Sequence, residues 1–124
     1  MPSEAVLESF IALVESNQHV KAIERFYAED ASMQENFDTP RKGRALLAAG
    51  ESAFLERWAK VESQCVRPAF CVGDNVVIRW IFEFTAPDGT KLKMDEIAYQ
   101  RWQGDRIVEE RFYYDPKQRT AKQQ

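Results

Sequence analysis

The residues able to do chemistry by themselves are few. There is one histidine, His19, and there are two cysteines, Cys65 and Cys71. A lone histidine excludes the common His-rich zinc sites. It lies near the start of a predicted helix, and the expectation for it is an exposed side chain. The cysteines sit six residues apart. Within one strand that spacing spans roughly 20 Å, whereas a disulfide needs Cα atoms closer than about 7 Å. Both thiols are expected to be reduced, and neither has a histidine nearby in sequence to activate it. Glu35, Glu96 and Glu110 are carboxylates of the kind that hard cations accept, but no loop spacing supports a metal, and none is expected. No cofactor is expected either.

The elements that must position such groups follow from composition and pattern. The chain has 124 residues, 44% hydrophobic and 30% charged, with five Gly and five Pro. That describes one ordinary globular domain. Seventeen basic against 20 acidic residues give a net charge of −3, which argues against a nucleic-acid binder. No apolar stretch approaches the ~18 residues of a membrane-spanning helix. The N-terminal MPSEAVLESF has neither the basic start nor the apolar run of a signal peptide, so the expected location is cytoplasmic.

Val6, Phe10, Leu13 and Val14 mark a helix over 3–15, with Ser3 as its N-cap. Asn17 is expected to cap a second helix bearing Val20, Ile23 and Tyr27. A short extended piece, 31–36, precedes a loop at 37–43. A long helix is predicted over 44–61, with Leu47, Phe54, Trp58 and Val61 as its stripe. Four β-rich runs follow, 64–72, 75–85, 91–102 and 106–115, separated by Gly73-Asp74-Asn75, Pro87-Asp88-Gly89 and Gln103-Gly104-Asp105. Short turns make these strands antiparallel. Segregated helices and strands indicate an α+β fold. Residues 1–116 form the predicted domain and 117–124 a loose polar tail.

This order, together with RFYAEDASMQEN (25–36), GRALL (43–47), GDNVVIRWIF (73–82) and GDRIVEERFYYDP (104–116), resembles the SnoaL-like group of the nuclear transport factor 2-like superfamily. The last motif resembles the group's DGKIV-x-x-R-x-Y-x-D ending. The resemblance spans about residues 4–116. It implies a cone of curved, mostly antiparallel sheet wrapped around three N-terminal helices (the cystatin-like fold), with a deep pocket between them. Function must still come from the site, since the superfamily holds isomerases, epoxide hydrolases, cyclases, dehydratases and adaptors.

Similarity to ketosteroid isomerase puts Glu35 at the base position, but its two oxyanion donors fall on Phe10 and Ala98, which cannot donate. Similarity to limonene epoxide hydrolase matches Arg79 and Asn36. Its two carboxylates fall on Ile81 and Phe112, and its helper tyrosine on Gln34. Neither full catalytic set is present. The alignments place Arg79, Ile81 and Glu83 on the pocket face, with Met94, Glu96, Ala98, Gln100 and Trp102 from the next strand and Glu110, Phe112 and Tyr114 from the last. A three-residue turn at Gln103–Asp105 gives this pairing; a two-residue turn at Gly104-Asp105 reverses it.

The expected site therefore has Glu35, Glu96 and Glu110 as catalytic carboxylates. Tyr27, Asn36, Trp58, Arg79, Gln100, Trp102, Phe112 and Tyr114 are expected to contact a small apolar or amphipathic molecule. Crowded carboxylates raise one another's pKa and Arg79 lowers one, which would separate an acid from a base. The implied activity is cofactor-free acid/base chemistry of isomerase, cyclase or dehydratase type. The alternatives are a non-catalytic ligand-binding dimer and a protein-interaction adaptor. Trp80, Phe82, Phe84, Ile97, Tyr99 and Tyr113 are expected on the outer sheet face, where a homodimer would cover them.

Overall fold

Helix α1 (Glu4–Glu15) begins where Ser3 Oγ accepts the Val6 N–H, and its stripe of Leu7, Phe10, Ile11 and Val14 is buried. A computed structural model describes residues 1–120. After α1 come α2 (His19–Phe26), β1 (Tyr27–Glu35), β2 (Arg41–Lys42), α3 (Arg44–Leu55), β3 (Lys60–Val72), β4 (Asn75–Thr85), β5 (Lys91–Gln103), β6 (Arg106–Tyr113) and a 3-10 turn (Pro116–Arg119). The six strands form one sheet in the order β2-β1-β6-β5-β4-β3. All neighbours are antiparallel except β1 and β6. The helices cover one face of this sheet, and the α+β expectation stands.

Three local expectations are corrected. Asn17 does not cap α2: it turns the chain between helices at φ 67°, and Gln18 stands at the cap without a side-chain bond. Asparagine tolerates that left-handed backbone better than most residues. The third helix stops at Leu55 instead of continuing to Val61. Its last turn tightens through Arg57 N–H to Phe54 O and Trp58 N–H to Leu55 O, and Ala59 N–H then bonds Thr85 O at 2.7 Å, which turns the chain into β3. His19 is buried rather than exposed, at 7% accessibility.

The faces of the sheet are set by connection length. Thr85 pairs with Lys91 across five residues, so Trp80 stands opposite Glu96 and Arg79 opposite Ile97. Because directly opposed residues share a face, Glu96 and Arg79 cannot both point inward. Glu96 is the buried one. Trp80, Phe82 and Phe84 join it in the core, while Arg79 is exposed and bidentate to Asp95 at 3.0 and 2.7 Å. Arg79, Ile81 and Glu83 therefore lie on the outer face, opposite to expectation, and Trp80, Phe82 and Phe84 on the inner.

The next turn has two residues, since Gln103 pairs with Arg106 and Gly104 takes φ 60°. By itself that would reverse the last strand. A bulge corrects it: Trp102 faces Ile107 but Arg101 faces Glu109, which leaves Val108 unopposed. Gln100 then meets Glu110, and Ala98 meets Phe112, on the inner face. The start of the predicted tail forms the 3-10 turn, where Gln118 grips Asp95 by accepting its N–H at 2.6 Å and donating to its carbonyl at 3.1 Å. The rest of that tail, 121–124, lies outside the described residues. Cys65 and Cys71 are both free thiols. No helix among the described residues is long and apolar enough to cross a membrane.

Candidate functional site

Between the helices and the inner sheet face lies a cavity of about 700 Å³, within the roughly 300–1,000 Å³ range of small-molecule sites. One wall is aromatic. Alternation along β4 aims Trp80, Phe82 and Phe84 inward, the first two stacked at 5.5 Å with 18° between planes. Phe54 and Trp58, from the end of α3, pack on Phe84 at 5.1 and 5.4 Å. Leu92 and Met94 complete this side.

The same sheet face carries three carboxyl groups on the neighbouring strands, Glu96 on β5, Glu110 on β6 and Glu35 on β1. Glu110 is 2% exposed and held by a chain of donors. Tyr27 Oη donates to its Oε1, Gln100 Nε2 donates to its Oε2 at 2.6 Å, and Trp102 Nε1 donates to Gln100 Oε1 at 2.9 Å. Burial pushes its pKa up to about 7 against the pull of those donors. Burial also keeps the Tyr27 phenol well above its ordinary range, with the Glu110 charge adding to the effect, so Tyr27 remains a donor.

Glu96 is 9% exposed, lines the cavity, and has no hydrogen-bond partner among the described residues. Burial, then the charges of Glu35 and Glu110, push it up to about 8. It is a neutral acid at pH 7. Glu35, nearer the mouth, accepts from Tyr114 Oη at 3.1 Å and from Arg41 at 2.8 Å. Burial raises its pKa, with Arg41 and Tyr114 opposing the rise. Burial and the Glu35 charge in turn push Tyr114 up to about 12. The three carboxyls thus occupy three distinct environments around one space, and Glu96, raised further than Glu110, is the one with nothing bonded to it.

Of the residues expected at the site, Glu35, Glu96, Glu110, Tyr27, Trp58, Phe112 and Tyr114 line the cavity. Gln100 and Trp102 stand behind Glu110 and fix it. Asn36 is a brace at φ 50°: its Oδ1 accepts the Tyr114 N–H at 2.9 Å and its N–H donates to Phe112 O at 2.7 Å. Arg79 is on the outer face and takes no part. In its absence the Arg41 guanidinium pairs with a pocket carboxylate.

The sequence reading missed His19, Glu51, Arg41, Arg57 and Arg119, all of which line the cavity. His19 bridges three elements, with Nδ1 3.1 Å from Glu51 and Nε2 2.8 Å from Ser63. Its signal was present, since His19, Ala22, Ile23 and Phe26 follow helical spacing and share the buried face of α2. Nothing comparable marks the arginines. Among the described residues no group of three His, Cys, Asp or Glu is arranged to hold a metal ion.

The chain matches the SnoaL-like domain family over residues 7–110. It belongs to that family. No curated protein matches it. Among solved structures it is similar to a SnoaL-like polyketide cyclase, so described, from Mesorhizobium loti (TM-score 0.74, 22% identity, 89% of this chain and 97% of that one). A protein of unknown function with a cystatin-like fold from Xanthomonas campestris matches at TM-score 0.78 and 20% identity, covering 95% of each chain. An epoxide hydrolase of LEH-like type from M. tuberculosis matches at 0.75 and 14%, covering 92% and 83%. At these identities the likeness is one of fold.

Proposed function

We propose that the protein binds a small, flat, largely apolar carbonyl compound in this cavity and moves protons on it without a cofactor. The observation that carries the reading is Glu96, a buried and unpartnered carboxyl that keeps its proton near neutrality beside a second carboxyl, Glu35, that is bonded to Arg41 and Tyr114. Glu96 would donate to the carbonyl oxygen. Glu35 would take the proton from the adjacent carbon, the C–H electrons moving toward that oxygen. Isomerisation, cyclisation and dehydration share this step, and the cyclase among the fold neighbours fits the same class of chemistry. Glu110, with both oxygens already engaged, sets the electrostatics of its neighbours.

The test is deuterium exchange. Candidate carbonyl ligands that shift the protein's amide spectrum are incubated in D₂O and their carbon-bound protons followed by NMR. Exchange by the wild type, lost in Glu35→Gln and in Glu96→Gln while binding persists, supports the reading. Binding without exchange in the wild type favours the alternative of a non-catalytic binder, which the fully bonded state of Glu110 also suits.

A second copy of the chain is proposed as the cover of the outer face. The aromatics of β4 have gone inside, but Phe70, Ile97, Tyr99 and Tyr113 remain 37–59% exposed there. Sedimentation of wild type and Tyr99→Lys checks this. A dimer that the substitution dissociates supports it, and a monomeric wild type ends it.

A further inference from the structure

The ionisable groups around the cavity differ with depth. The inner end holds Glu96 and Glu110, both at 9% exposure or less. The mouth holds Arg41, Arg57 and Arg119 against Glu35 and Asp38. Arg41 is committed to Glu35 at 2.8 Å. Arg57 and Arg119 have no salt bridge or side-chain hydrogen bond among the described residues.

Neither free arginine hangs loose from the fold. The Arg57 guanidinium lies over the Phe54 and Trp58 rings, at 5.6 and 5.7 Å from their centroids, so two aromatic faces hold it at the rim. Arg119 stands on the 3-10 turn that Gln118 clasps to Asp95, and its charge reaches Glu35 and Tyr114. Beside Arg57, the Trp58 Nε1–H is buried with no partner. Unpaired buried donors are rare, and this one marks the same corner as short of an acceptor.

We infer that the cavity takes an organic anion: a flat apolar body lies against Trp80, Phe82 and Phe84, and its acid group stays at the mouth with Arg57 and Arg119. This rests on the cavity being a ligand site, as proposed above, and adds the charge of the ligand. An anion at the rim gains charge-assisted bonds from planar guanidiniums. The same anion placed deep would find no guanidinium, so the arginines also fix which end enters first.

Two dyes with the same ring body test this. Anilinonaphthalene sulfonate carries an anionic group, and phenylnaphthylamine has none. Both are titrated by fluorescence into wild type, Arg57→Gln and Arg119→Gln, with circular dichroism as the check on folding. Amide shifts locate the dye among cavity residues such as Phe84 and Met94. The expected result is about a tenfold or greater loss of sulfonate affinity in each variant, with phenylnaphthylamine changed less than about twofold. If both dyes bind in the cavity and the variants weaken neither, or weaken both equally, the anion subsite is wrong and the cavity reading stands. If neither dye enters the cavity of the wild type, or the shifts fall on the outer sheet face, both readings fall together.

Discussion

Glu96 and Glu110 keep their protons in the fold where the unfolded chain has lost them. Their values of about 8 and about 7 lie above the usual 4.5 of a free glutamate. The folded state therefore binds more protons across that window. Stability from this source is fully present below about pH 4.5 and is lost as pH rises through 7 and 8. Glu8, Asp88 and Asp95, whose values are lowered by their hydrogen bonds, act with the opposite sign in more acid solution. Urea titrations should show stability falling between pH 5 and pH 8. Glu96→Gln should remove on the order of 3 kcal/mol of that fall. An unchanged slope would mean that Glu96 is solvated. Two tryptophans give a second contrast. Trp102→Phe strips Gln100 of its donor in a packed core and should cost about 2–4 kcal/mol. Trp58→Phe removes a buried N–H that bonds nothing, and should fall within about 1 kcal/mol of neutral. Equal losses in the two variants would show that ring volume alone decides.

At the scale of elements, the chain states which segments become strands more clearly than which way they face. The runs at 75–85 and 91–102 match β4 and β5 almost to the residue, because β-branched and aromatic residues cluster between turn signals. Facing depends instead on parity. In β4 both alternating sets contain apolar residues, Ile81 on one and Trp80, Phe82 and Phe84 on the other, so hydrophobicity alone does not choose, and the five-residue connection to β5 does. In β6 a two-residue turn and a one-residue bulge cancel, which reaches the expected face by a route the pattern does not display. The carboxylates at 35, 96 and 110 were accessible to sequence reasoning because each sits in a regular strand. The arginines of the mouth were not, because loops and helix ends carry no period. Deleting Val108 tests the parity argument. It would close the bulge and leave Arg101 opposite Glu109 and Gln100 opposite Glu110, so the variant should keep a cooperative thermal transition. A variant that fails to fold would show that the bulge does more than set the parity.

For the whole molecule, the sheet joins distant parts of the chain. The strand order sets β6 between β1 and β5, and its contact with β1 is the single parallel pairing. Tyr27 and Glu110, 83 positions apart, meet only through it. The Asn36 brace on Tyr114 and the Arg111 bond to Asn36 O at 2.7 Å tie the same seam from its far end. A chain cut after Gln103 should leave β1 and β5 as two open edges with no strand between them, and should be recovered as aggregate. Soluble, monomeric recovery of that fragment would contradict the view that β6 holds the halves together.

That placement has a consequence for the order of assembly. β6 follows β1 and β5 along the chain yet lies between them in the sheet. Until it is seated, β1 lacks a neighbour on one side and the β3–β5 meander has an unfinished flank. The step that inserts it between two waiting edges also brings Glu110 beneath Tyr27, so the seam between the halves and the acid wall of the cavity come into being together.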